Sequence, residues 1–254
     1  MMSARVKIVA FCALAGGVWL IFRKKEDGAK AKAKAKVDGG GAGALALREG
    51  AGAAPTSSAN ETVLGVARAI PDGGVYDTKG SGVPVDVVHK GVAILSKGAT
   101  VYCSGFTFAT AAEAARRRGL LEDKSVAQVK KFQQEWYGGA SERQRGVPLT
   151  SLQLSGPALE IIGIGKSVPL SDARPGDFVQ YWRNTKDPSG HSVVFLDWLT
   201  DATGNRIGLK YRSAGFTKGV SDSSEKFSGH GGRIDPNRTF FSRLFDGPTE
   251  PRVA

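Results

Sequence analysis

Cysteine is scarce in this chain, with two residues in 254, Cys12 and Cys103. Cys12 falls within an apolar N-terminal stretch, so there is no disulfide framework, and zinc sites built on Cys-x-x-Cys pairs are excluded by the same count. Histidine is nearly as rare. His89, His191 and His230 are too scattered to read as a metal motif, and neither a metal nor a cofactor is expected. No Gly-x-Ser-x-Gly elbow follows a strand, which removes the usual serine-hydrolase signature. Gly163-Ile-Gly-Lys166-Ser167 echoes a phosphate loop, but that loop needs glycine where Glu160 stands. No internal repeat is visible.

What is present is enough for one good-sized domain with extras, since 41% of the residues are hydrophobic. Basic residues are in excess, giving a net charge of +11. The excess is uneven, with ten Lys/Arg against four Asp/Glu in residues 1–60. Such a surface suits an anionic partner.

Residues 6–22 form an apolar run with Lys7 as its one charge, followed by Arg23-Lys24-Lys25. No small-x-small cleavage site follows Phe22, so residues 1–22 read as an uncleaved membrane anchor rather than a signal peptide. Residues 23–60 read as a disordered basic and Gly/Ala-rich tether, with Ala and Lys alternating from Ala29 to Lys36. The folded domain is expected over 61–247.

Within it, helices are expected first: Glu61 to Ile70, then Val85 to Lys97 on the spacing of its apolar residues, then a helix opened by Cys103. The third is rich in alanine and ends at Arg116-Arg117-Arg118-Gly119. Ser125 is placed to cap a helix from Val126 to about Tyr137, and another is expected within 157–164. Strands follow at 177–183, 191–198, 206–213 and 238–245, with 215–236 read as loop. Helices first and strands later imply an α+β fold with helices packed on an antiparallel sheet.

Cys103 is the candidate nucleophile. At the start of a helix, free N–H groups and the positive dipole end favour a thiolate. His191 opens a strand that is apolar on both faces, with Val193 and Phe195 on its own face. An imidazole projecting from there toward the helix would take the thiol proton.

The order of three blocks, Tyr102-Cys103-Ser104-Gly105-Phe106, then 174–182 (RPGDFVQYW), then 190–198 (GHSVVFLDW), resembles the NlpC/P60 superfamily of papain-like cysteine peptidases and amidases. The resemblance spans about 103–213. It implies an NlpC/P60-like domain, Cys103 as nucleophile, His191 as base, and hydrolysis of an amide bond, usually in cell-wall (peptidoglycan) peptides. Substrate contact is implied for Ser104 and for Tyr102, which stands where the family commonly has Asp. The family's third catalytic residue comes from the next strand. Here that strand offers Ser213, with a backbone carbonyl as the alternative. Peptide or cell-wall substrate and membrane are the implied partners, and nucleic acid is not expected. A cysteine acyltransferase and a non-catalytic module binding an anionic polymer remain alternatives on the same fold. The resemblance places the domain on the periplasmic, extracytoplasmic side of the inner membrane. The cationic residues after the apolar run favour a cytoplasmic side instead.

Overall fold

A computed structural model of the protein describes residues 57–186 and 189–248. The expected anchor, and all of the expected tether but its last four residues, lie outside them. Among the described residues, no helix is long and apolar enough to cross a membrane.

Helix α1 (Ala59–Ala69), capped by Ser58, starts slightly before the expected boundary of the folded domain. The Ser58 side chain accepts from the Glu61 N–H and the Glu61 carboxylate accepts in return, a reciprocal capping box. Residues 85–97 do not form the expected helix. They form a hairpin of β1 (Val87–His89) and β2 (Val92–Leu95). Lys90 and Gly91 both take positive φ, 49° and 74°, which matches the right-handed twist of a two-residue hairpin turn. The β-branched residues flanking that turn settle what apolar spacing alone left ambiguous. His89, read from sequence as a helix residue, is therefore on a strand, where its Nε2 lies 2.8 Å from the Lys124 carbonyl.

Helix α2 (Cys103–Arg117) and helix α3 (Val126–Gly138, with Ser125 and Gln128 in a second capping box) agree with the sequence reading. The stretch that follows contains α4 (Ala140–Gln144), α5 (Ser155–Ile161), which overlaps the helix expected within 157–164, and strand β3 (Gly165–Val168). The remaining strands are β4 (Phe178–Arg183), β5 (Gly190–Thr200), β6 (Arg206–Gly215), β7 (Gly219–Lys226) and β8 (Ile234–Leu244). β7 corrects the reading of 215–236 as loop: Ser221 to Ser224 is polar throughout and gives no apolar alternation to detect.

Strands β3 to β8 form one antiparallel sheet, separate from the β1–β2 hairpin, in the order β3-β8-β4-β5-β6-β7, so β5 is interior as its two apolar faces imply. The fold is α+β. One sheet face, with Phe178, Val194, Ala214 and Leu244, is covered by α1, α2, α3 and α5. The other is covered by the sheet itself, which coils until Phe227 at the end of β7 bridges Ile234 at the start of β8. It encloses a second core of Val179, Tyr181, Val193, Phe195, Leu209, Tyr211, Ile234 and Phe241.

The motif residues have structural causes. Gly176 has φ +93° and lies against the Asn60 backbone, so a side chain there would be both strained and blocked. Asp177 is fully buried and accepts both Arg243 bonds, 2.7 and 2.8 Å, and the Arg174 N–H, tying the entry of β4 to β8. Gly105 lets the 82–83 backbone pass directly over the first turn of α2.

Candidate active site

Cys103 is the first residue of α2, as expected. The residue is 2% exposed. α1 and α3 each begin with a capping box, whereas Tyr102 before α2 supplies no side-chain cap and no acidic residue stands in the first turn. Two hydroxyls approach the sulfur, each 4.0 Å away: the Tyr76 phenol, donating toward Sγ, and Ser104 Oγ. The site therefore combines a thiol, a helix N-terminus with no carboxylate on it, and hydroxyl dipoles. The helix end and the hydroxyls favour sulfur as a thiolate, while burial opposes it.

Tyr76 was not singled out from sequence. Its loop is held to the segment just before α2 by two bonds, Val101 N–H to the Val75 carbonyl at 2.9 Å and Asp77 N–H to the Val101 carbonyl at 3.2 Å. The available signal was an aromatic residue isolated in a Gly- and Asp-rich loop. Its ring also stacks on Phe216 beyond the end of β6, with centroids 4.2 Å apart.

His191 lies elsewhere. Thr107 of α2 faces the sheet, and its hydroxyl is 2.8 Å from the hydroxyl of Ser192. Ser192 therefore points at α2, and strand alternation turns His191 to the other face. There its ring meets Tyr181 and Tyr211 edge-on, with centroids 5.6 and 5.7 Å away. The sequence reading put His191 correctly with Val193 and Phe195. It erred in supposing that this is the face α2 covers. Cys103 and His191 are thus not brought together in this arrangement.

The other expected residues are buried rather than presented to a substrate. The Tyr102 ring packs over Gly82 and edge-on to Tyr137, centroids 5.7 Å apart. Ser104 is beneath the surface beside the thiol. Ser213 donates to the Ser192 carbonyl at 2.7 Å, so it bonds the strand beside His191 and not the imidazole. The third-residue role therefore has no support in its contacts. His230 is exposed in a short turn.

Around His191 lies a polar network that the sequence did not reveal. Arg183 makes two bonds to Glu225, 2.8 and 2.7 Å, and the Tyr181 hydroxyl donates to the same carboxylate at 3.0 Å. Tyr181 and Tyr211 hydroxyls are 3.3 Å apart. Burial drives the Tyr181 phenol well above its ordinary pKa. Burial also pushes the Glu225 carboxyl up, but the Arg183 hydrogen bond and charge outweigh it and hold it below the usual range. Among the described residues, no group of three or more His, Cys, Asp or Glu side chains could hold a metal ion.

No protein-family model, curated protein or solved structure matches this chain.

Proposed function

We propose that the protein is a thiol-dependent hydrolase of amide bonds with Cys103 as nucleophile. The observation that carries this reading is the position of the thiol at the uncapped start of a 15-residue helix, beside two hydroxyls. The thiolate attacks the amide carbonyl and N–H groups of the first helical turn stabilise the oxyanion. The amine leaves with the proton that the thiol gave up, carried through solvent, and water then cleaves the acyl-thiol to a carboxylic acid and the restored thiol. The likeness of the three blocks to NlpC/P60 enzymes supports the same chemistry. It also makes an amide in a cell-wall peptide the substrate we favour, reached from the outer face of the inner membrane. An acyltransferase differs only in the acceptor of the acyl group, so product analysis with added amine separates the two.

The family role of His191 as base requires its ring to leave the tyrosine pair. In the resting arrangement, thiolate formation is assigned to the helix end. A non-catalytic binding module is the second reading, favoured by the 2% exposure of Cys103 and the far-face position of His191.

The deciding experiment is alkylation of the native protein with iodoacetamide across pH, with the modified peptide identified by mass spectrometry. The hydrolase reading expects Cys103 to react with an apparent pKa below the free-thiol value of about 8.5. It also expects Cys103→Ala to abolish release of peptide products. A thiol that reacts only after unfolding would support the binding module and end the hydrolase reading.

A further inference from the structure

We infer that Phe216 and Tyr76 form a shelf for an apolar side chain of the substrate next to the scissile amide. This rests on Cys103 being the nucleophile. Phe216 is 71% exposed, the most exposed large hydrophobic residue described, and Val75 beside Tyr76 is 68% exposed. An aromatic ring left in water at that cost gains by being covered. Its inner face is occupied by the Tyr76 ring at 4.2 Å, and the Tyr76 hydroxyl reaches Cys103. Tyr76 therefore spans the two, with its ring against Phe216 and its hydroxyl toward the sulfur.

The shelf is built on held backbone. Phe216 sits in the turn between β6 and β7, which Gly219 closes with φ +63°. Gly73 and Val220 exchange two hydrogen bonds, 2.9 and 2.7 Å, joining the Tyr76 loop to that turn. A side chain on Gly219 would collide with the Gly73 carbonyl, so this approach needs glycine. The loop is in turn bonded to Val101, two residues before Cys103. The ring pair and the thiol thus keep a fixed relation.

A carboxylate-bearing residue is the competing occupant, because Lys218 lies in the same turn. The stacked rings favour the apolar one. The nearby Arg212 is already committed, holding Asp72 and Asp222 at 2.5 and 2.9 Å. A subsite of this kind would rank apolar residues above acidic ones at the position beside the cleaved bond.

The test uses the full chain and three chloromethyl ketones, phenylalanyl, glycyl and glutamyl, with iodoacetamide as a reagent that has no side chain. Each alkylates the thiolate with loss of halide. We expect the phenylalanyl reagent to modify Cys103 roughly tenfold faster than the glycyl one, the scale of an added apolar contact. Phe216→Ser should bring that ratio to about one by removing the contact, each rate being taken relative to iodoacetamide on the same variant so that any change at the thiol itself cancels. Equal rates for the phenylalanyl and glycyl reagents, or a glutamyl reagent that is fastest, would overturn the shelf and leave Cys103 as nucleophile. If iodoacetamide fails to modify native Cys103, the nucleophile falls and the shelf with it.

Discussion

The Thr107 hydroxyl sits 2.8 Å from the Ser192 hydroxyl and also accepts the indole N–H of Trp136 at 3.1 Å. This buried three-residue junction seats α2 on β5 and α3 on α2. It also sets the sidedness of the whole strand, since whichever face Ser192 takes, His191 takes the other.

Thr107→Val keeps the side chain's shape and removes the junction's oxygen. The buried indole N–H of Trp136 and the buried Ser192 hydroxyl then lose their partner, which should cost about 1–3 kcal/mol. Thr107→Ser, which keeps the hydroxyl, should cost no more than about 0.8 kcal/mol for the lost methyl. Urea unfolding measures both. A Val variant as stable as the parent would show that α2 is not seated this way.

His191→Phe preserves a ring between Tyr181 and Tyr211, so we expect stability to fall by less than about 1.5 kcal/mol. Because the imidazole faces away from α2, Cys103 in this variant should react with iodoacetamide at the parental rate and apparent pKa. Slower labelling would mean that the imidazole reaches the resting thiol after all. Loss of turnover of about 10²-fold with labelling unchanged would place His191 in the chemistry at a later stage.

Glu225 gives an expected acid response. Its carboxyl titrates below the ordinary value of 4.5 when folded, so the folded state binds its proton less readily than the unfolded chain. Its contribution is therefore complete above the unfolded pKa and is lost as pH falls through the lower folded one. In Glu225→Gln that part of the acid dependence should disappear, at the cost of leaving the mostly buried Arg183 guanidinium without its counter-charge. The stability difference between parent and variant should be largest above pH about 4.5 and shrink below it. A constant difference across pH 2–7, followed by thermal unfolding, would contradict the ion pair as drawn.

Lys90 occupies a left-handed position, φ 49°, in the β1–β2 turn. Asparagine tolerates this conformation better, so Lys90→Asn should stabilise the protein by about 0.5 kcal/mol. Destabilisation in chemical denaturation would argue against the hairpin and for the helix first read there.

The elements that could be read from the residues were those whose local signals agree. α2 and α3 carry strong helix formers, and Ser125 and Gln128 spell a capping box in sequence. β4, β5 and β6 have β-favouring residues between turns. β1–β2 was misread because Val87, Val88, Val92 and Leu95 fit a helical spacing as well as two short strands. The β-branched residues beside Lys90-Gly91 and the positive φ of that pair decide it. The pairing of Cys103 with His191 was misjudged for a different reason. β5 is apolar on both faces, so its alternation shows which residues share a face without showing which face α2 covers. That choice depends on the small residue, Ser192, that lets the helix approach. Tyr76 and Phe216 come together only through the Gly73–Val220 pairing across 147 positions of sequence, which no local pattern encodes.

The polar run that hid β7 from the sequence reading has a bearing on self-association. β7 ends the sheet order, and Asp222, Ser223 and Ser224 are all exposed along it. An open strand edge offers its N–H and C=O groups to any passing strand, and charge and solvated hydroxyls are what make such an edge a poor template. At the opposite end β3 is four residues long, carries exposed Lys166 and Ser167, and is followed at once by Pro169. The short β3 and the part of β7 left between its contacts to Gly73 and to Ile234 therefore both discourage edge-to-edge growth. A concentrated solution of the domain should not convert to β-rich aggregate from its native state, and conversion, if it occurs, must begin with the buried strands coming apart.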